Sequence, residues 1–234
     1  EKVAADYMGR QATYWGLRDL LRRLYAKDVI EVGLLARIAQ EINLAKMGSE
    51  TKKDCLIDIG KAIEQVGDSE SMGSDFFERM AKILPSDSGG RGFEERLRYV
   101  GPEIFTVAAE QIAQLNDLLS SLTDTMKTIN DHLERLGDNL LPSKAEFAAD
   151  LASRAMDVAQ WSETLSYLTQ GDDPEWVFWY ELPARSSRSK HVTLSCAPLH
   201  VGQHLDNMLY SNMRTILFTS ATLAVADKFT HFVD

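Results

Sequence analysis

Cysteine is scarce in this sequence, and long apolar runs are absent from it. Cys55 and Cys196 stand too far apart to define a disulfide framework or a Cys-x-x-Cys metal site. A reducing, cytoplasmic setting is therefore expected. No apolar run approaches the roughly 20 residues that cross a bilayer, so we expect no membrane partner. The start also lacks the charged-then-apolar pattern of a secretory signal.

Basic residues are fewer than acidic ones. The chain carries 25 Lys and Arg against 35 Asp and Glu, a net charge of −10. A dedicated duplex-DNA binder is more often basic, which argues against strong, independent DNA binding. A local basic strip on an acidic body stays compatible with this composition.

Motifs for self-contained catalysis are also missing. The sequence has neither a Gly-rich phosphate loop ending in Lys-Ser/Thr nor a nucleophile elbow. His200 and His204 have the four-residue spacing of zinc ligands on a helix. Val201, however, stands where the metalloprotease pattern needs Glu, and no third ligand is apparent. We therefore predict no metal, no catalytic residue and no bound cofactor in this chain.

What the sequence does contain is mostly helix-forming pattern. Its 234 residues are 44% hydrophobic, enough to bury a core in one or two domains. Apolar spacing predicts a helix over 2–26 and a second that Asp28 caps and that ends near 48. A third helix runs up to a break at 67–69, and a fourth begins at 74 or 75 and stops at Pro85.

The longest regular stretch predicts an antiparallel hairpin. Glu103–Leu136 reads as one helix of roughly 50 Å, ended by residues 137–139. Ser143 and Glu146 fit a capping box that opens a second long helix. The two heptad seams consist of Ala108, Ile112, Leu115, Leu119, Leu122, Met126, Ile129, Leu133 and Leu136, and of Phe147, Leu151, Ala155, Val158, Trp161, Leu165 and Leu168. This hairpin is either a projecting rod or half of a bundle core.

A small β-hairpin follows the helices. Trp176–Leu182 predicts a strand, with Trp176, Phe178 and Tyr180 on one face, and His191–Cys196 predicts its partner. The region 93–100 is ambiguous. Arg185, Arg188 and Lys190 lie in the polar loop between the two strands, and they are candidates for contact with nucleic-acid phosphates. The aromatic residues either stack on single-stranded bases or hold the hairpin against the helices.

A second basic cluster lies near the start of the chain. Arg18, Arg22 and Arg23 fall within about two helical turns. They are either a phosphate-contacting strip or a solvated face with pairs such as Asp19 and Arg23.

A hydroxyl-rich segment closes the sequence. Residues 216–218 predict a buried strand, and Thr219, Ser220 and Thr222 then surround Ala221. Such residues suit a ligand crevice at the end of a strand in an α/β sheet, or simply a turn that caps its own backbone.

The residues around this segment resemble the end of the first motor domain in DinG-like helicases of the DinG/XPD group. Pro198 to Val201, the apolar strand and Thr-Ser-Ala-Thr-Leu match that family's helicase motif III and its approach. Lys228, Phe229 and Phe232 are similar to the Phe-x-x-Phe that follows the motif. Residues 1–10 look like the stretch just after the family's DEAH box.

This resemblance implies an excised part of a helicase. Residues 1–26 would leave the motor domain, 27–175 would form the helical arch insertion, and 176–234 would return with motif III. The expected fold is mainly α: an arch with a coiled-coil hairpin, a small β-hairpin and a terminal strand from a truncated α/β motor domain. Thr219, Ser220, Ala221 and Thr222 would couple ATP hydrolysis to movement.

The resemblance also implies the partners of the parent protein. The parent would use ATP and Mg²⁺, move 5′ to 3′ on single-stranded DNA and act in DNA repair; the sequence leaves open whether it carries an iron–sulfur cluster. A protein partner could dock on the arch. The alternative function is a helical coiled-coil docking module that binds no nucleic acid.

Overall fold

The computed structural model describes residues 8–27, 33–45, 48–86, 95–137, 140–184, 189–200, 202, 206 and 210–215. Within these ranges the chain is mainly helical with a small antiparallel sheet. The helices are α1 (Tyr14–Leu24), α2 (Leu34–Leu44), α3 (Ser49–Ile83), α4 (Ala109–Arg135) and α5 (Lys144–Gln170). The strands are β1 (Arg10–Thr13), β2 (Glu95–Tyr99), β3 (Trp176–Leu182) and β4 (Thr193–Pro198), and short 3-10 helices occupy Glu103–Ala108 and Tyr210–Asn212.

Helices α4 and α5 form the hairpin that the seams predict. A short connection joins them, so they run antiparallel and pack along their length. The seam positions from Leu115 to Leu133 and from Phe147 to Leu168 are all buried. Each helix has 27 residues and is therefore about 40 Å long. Helix α4 is shorter than predicted because Glu103–Ala108 forms a 3-10 helix.

The hairpin shares its core with a third long helix. Helix α3 packs along α4, and α1 and α2 each pack against both α3 and α5. The Gln65 Nε2 atom on α3 donates a hydrogen bond to Ser121 Oγ on α4 at 2.7 Å. Of the two interpretations of the seams, these contacts favour a bundle core over a projecting rod.

The predicted break at 67–69 is wrong, because α3 is one continuous helix of 35 residues. Ser69 is fully buried, and a Cβ atom at Gly73 would lie 2.4 Å from Leu17 Cδ2. Helix propensity penalises Gly and Ser by no more than about 1 kcal/mol each. The close packing of α3 against α1 outweighs that penalty, and a sequence window cannot register it.

The helix predicted over 2–26 is confirmed over Tyr14–Leu24 and wrong over Arg10–Thr13. Arg10–Thr13 is a strand, and the helix begins at Tyr14. Antiparallel pairing with β4 gives this segment backbone hydrogen bonds along one side, and Ala12 is buried. Thr13 then caps α1, since its Oγ1 accepts a hydrogen bond from the Gly16 backbone N–H at 2.9 Å.

The predicted capping box at the start of α5 does not form. Ser143 is the N-cap residue but makes no side-chain cap bond. Its hydroxyl instead donates to Glu41 Oε1 at 3.4 Å, and Glu146 pairs with Arg37 at 3.2 Å. Both side chains therefore tie α5 to α2 rather than close the helix end.

The sheet has the order β1-β4-β3-β2, with every neighbouring pair antiparallel. The predicted β3–β4 hairpin is confirmed, and the ambiguous region 93–100 contains β2. Phe178, Tyr180 and Leu182 join the hydrophobic core. Tyr99 Oη donates to the Leu168 carbonyl at 2.6 Å, which fastens β2 to the end of α5.

Several expectations fall where the structure gives no description. The Asp28 cap and the strand at 216–218 lie outside the described residues. The domain boundaries at 26/27 and 175/176 stay predictions. Among the described helices, none combines the length and apolarity that a membrane crossing requires. Both cysteines are free thiols, and burial raises the pKa of each to about 11.

Gly67→Ala tests whether α3 is continuous. No neighbouring atom lies within 4 Å of a Cβ placed at Gly67 or Gly60. We expect each Ala variant to raise the free energy of unfolding by about 0.5–1 kcal/mol, because Gly weakens a helix interior. Urea denaturation followed by circular dichroism measures this. A gain at Gly60 together with a loss at Gly67 would show that the helix breaks where the sequence suggested.

Candidate nucleic-acid interface

Two predicted basic segments meet at one end of the sheet. Strand β1 runs directly into α1, and residues 189–192 run directly into β4. Because Thr13 pairs with Thr193 in the antiparallel register, the start of α1 and the segment before β4 leave the same end of the sheet. This pairing brings Arg18 and Lys190 into one neighbourhood although they are far apart in sequence.

Three rings occupy the meeting point. Tyr14 stacks on His191 with centroids 4.1 Å apart and planes at 24°. The Trp15 ring meets His191 edge-on at 5.9 Å, and its Nε1 donates a hydrogen bond to Ser189 Oγ at 3.4 Å. Trp15 is 47% exposed, so this cluster presents an indole at the surface.

Charged groups of both signs surround the rings. The Arg18 guanidinium carbon lies 5.4 Å from the Trp15 ring centroid, and its Nε donates to Glu70 Oε1 at 2.9 Å. A hydrogen bond and the charge of Lys82 lower the pKa of Glu78, with smaller contributions from Lys190 and His191. Glu70 and Glu78 on α3 thus offset cations here, and the surface has mixed rather than strongly positive charge.

His191 is a partly buried polar group at the centre of these contacts. Burial lowers the pKa of its imidazole, and the Glu78 carboxylate opposes that shift. Its Nε2 lies 3.3 Å from Ser74 Oγ, and its backbone N–H donates to Ser189 Oγ at 3.4 Å. Its Nδ1 is buried without a hydrogen-bond partner among the described residues. This environment favours the neutral ring, which joins α1, α3 and β4.

The three arginines of α1 do not share one environment. Arg18 contacts α3, whereas Arg23 lines a cleft of about 500 Å³ between α1 and α5. Asp19, Arg154 and Asp157 line the same cleft, and Arg154 pairs with Asp157 at 3.0 Å. Arg22 is half-buried on the last turn of α1. The arginines of α1 therefore do not form one strip, because Arg18 lies towards α3 and Arg23 lies towards α5.

Other predicted site residues lie outside the described residues. These are Arg185, Arg188, Thr219, Ser220, Ala221 and Thr222. Their roles stay predictions. On β3, Phe178 and Tyr180 are buried in the core, which favours the packing interpretation of these aromatics over base stacking.

The sequence reasoning missed Trp15 and His191. The available signal was the Tyr14–Trp15 pair one turn before Arg18. The helix predicted over 2–26 assigns no role to Trp15. The true start at Tyr14 and the pairing of β1 with β4 were needed to place these rings beside Lys190.

Comparison with known proteins relates the chain to DinG-like proteins. No protein-family model matches the chain. It is similar to the 3′-5′ exonuclease DinG of Bacillus subtilis (strain 168), with 23% identity over 236 residues. The match covers 100% of this chain and 24% of that protein, so the chain spans about a quarter of its relative's length.

The enclosed imidazole predicts a pH effect on stability. Because the pKa of folded His191 lies below its unfolded value of about 6.5, the unfolded state binds more protons in that window. The free energy of unfolding should therefore fall as the pH drops through about 6.5, and recover above it. His191→Gln should flatten this slope, measured by urea denaturation from about pH 7.5 to about pH 5. An unchanged slope would contradict a buried neutral ring.

Proposed function

We propose that this chain comprises the helical arch insertion of a DinG-like, ATP-dependent nucleic-acid motor together with the flanking segments that join it to the motor domain, and that it contacts single-stranded DNA. The similarity to DinG over the whole chain and the motif III-like residues 219–222 support this proposal. The composition limits the expected strength of DNA binding, because a chain of net charge −10 is suited to modest, local contact rather than to tight duplex binding.

The observation that carries the proposal is the meeting of α1 with the segment before β4. It combines an exposed indole with Arg18 and with the exposed Lys190. Sequence-tolerant single-strand binding uses this combination, because cations follow the phosphates while aromatic rings accept bases of any sequence.

In this proposal the chemistry of ATP belongs to the parent protein. ATP and Mg²⁺ would be held by a phosphate loop and acidic box that this sequence lacks. Ser220 and Thr222 would sense that site and pass the change to the arch. The chain itself would guide the strand and couple hydrolysis to strand separation.

The name of the relative adds a second activity to consider. That protein is named a 3′-5′ exonuclease, and three quarters of its length lies outside the match. An arm that holds a single strand would serve a nuclease as well as a helicase, since both act on one strand at a time. The proposal therefore concerns the strand contact and applies to either activity in the parent.

A protein-docking module is the second candidate, and one surface favours it. Leu44 is 77% exposed at the end of α2, and Ile57 is 57% exposed on α3. Lys52, Lys53, Leu56 and Ile57 line a shallow apolar groove on α3. Exposed apolar residues flanked by cations suit an acidic amphipathic partner.

Salt-titrated binding of a labelled single-stranded oligonucleotide to the 234-residue chain separates the two candidates. We expect affinity to fall as salt rises, because binding releases counterions from the phosphates. Lys190→Gln should weaken binding and reduce the salt slope by about one. Lys127→Gln is the matched control, since Lys127 is an exposed cation paired with Asp124 on α4.

Absence of binding at low salt would contradict the strand-contact proposal and leave the docking module. Equal effects of Lys190→Gln and Lys127→Gln would show that binding depends on overall charge. That result would contradict a binding site where α1 meets the segment before β4.

A further inference from the structure

We propose that Trp15 is a base-stacking residue, on which one unpaired base of a single strand lies against the exposed indole. This inference rests on the proposed function and names the residue that contacts the bases by stacking. The β3 aromatics that the sequence offered for this role are unsuitable, since Phe178 and Tyr180 are buried.

Exposure singles out Trp15 among the tryptophans. Trp161 and Trp179 are 9% and 8% exposed, and Trp176 is partly buried against the core. Trp15 is 47% exposed. A large apolar ring in water carries a free-energy cost that burial by a ligand would remove. The buried face of α1 is formed by Leu17, Leu21 and Leu24, and Trp15 lies outside it.

The indole is held in place before any ligand arrives. Its Nε1 donates a hydrogen bond to Ser189, its ring lies nearly perpendicular to that of His191, and it lies on the first turn of a capped helix. Arg18 covers one face of the ring. An ordered ring loses little conformational entropy on binding, so most of the stacking energy would appear as affinity.

The surrounding charges define the kind of ligand. Arg18 already covers one face, so a base would stack on the other face, with the guanidinium and Lys190 near the adjoining phosphates. Glu70 and Glu78 moderate the attraction for phosphate. A ligand with flat apolar faces between spaced negative charges meets these conditions. Single-stranded nucleic acid has that composition, and a bare polyanion lacks the faces.

Two oligonucleotides separate stacking from phosphate contact. Oligothymidylate of about 15 nucleotides and an abasic strand of the same length carry the same charges, but only the first has bases. Trp15→Ala should weaken binding of oligothymidylate at least about five-fold and leave abasic-strand affinity unchanged. Trp15→Phe should retain most of the affinity because it keeps a ring. Met156→Ala, at a 72% exposed position on α5, is the control for losing exposed apolar surface.

Each other result overturns the inference. An equal loss for both strands would mean that Trp15 acts through the phosphate contacts, and no loss for either would mean that no base stacks on it. In both cases salt-dependent binding by the unchanged chain would leave the proposed function intact. Failure of the unchanged chain to bind either strand would remove both proposals. Circular dichroism melting of each variant checks that the fold is retained.

Discussion

Burial of the α4–α5 seams against α3 is the constraint on which the structure depends. The seam residues, from Leu115 to Leu133 on α4 and from Phe147 to Leu168 on α5, belong to a single hydrophobic core. Helix α3 covers the side of α4 that a two-helix hairpin would leave in water. Each fully buried Leu or Ile contributes roughly 1.5–3 kcal/mol relative to exposure. A hairpin alone would forgo much of this, so the bundle rather than the rod is the stable arrangement.

This core also positions the surface to which we assign function. Helix α1 packs on α3 and α5 through Leu17, Leu21 and Leu24, and its start is fixed by the β1–β4 pairing. The sheet in turn is fastened to α5 by the hydrogen bond from Tyr99 to Leu168. The position of the exposed indole beside Lys190 therefore follows from packing throughout the bundle and not from a local loop.

Regular, buried features of this fold could be predicted from the sequence alone. The seams of α4 and α5 and the bounds of β3 follow from periodicity, because burial on one face leaves a repeating apolar signal. Features decided by distant partners could not be predicted. Gly73 stays helical because Leu17 occupies the space of its missing side chain, and Ser143 abandons its local cap for Glu41.

The candidate site was predicted only in part for the same reason. Arg18 and Lys190 were recognised as separate basic residues, but their meeting depends on a strand at Arg10–Thr13 that apolar spacing presented as helix. Trp15 carries no periodic signal, since its contacts with Ser189 and His191 join segments more than 170 residues apart. Sequence patterns record local faces, whereas this surface is assembled from two distant chain segments that leave the same end of the sheet.

The claim that the hairpin and α3 form one cooperative core is tested most directly by native-state hydrogen exchange, residue by residue. The account predicts that the slowest amides of α3, α4 and α5 open with the same free energy as global unfolding. Exchange of the α3 amides with a lower opening free energy, while α4 and α5 stay protected, would contradict this claim. It would favour an independent two-helix rod instead.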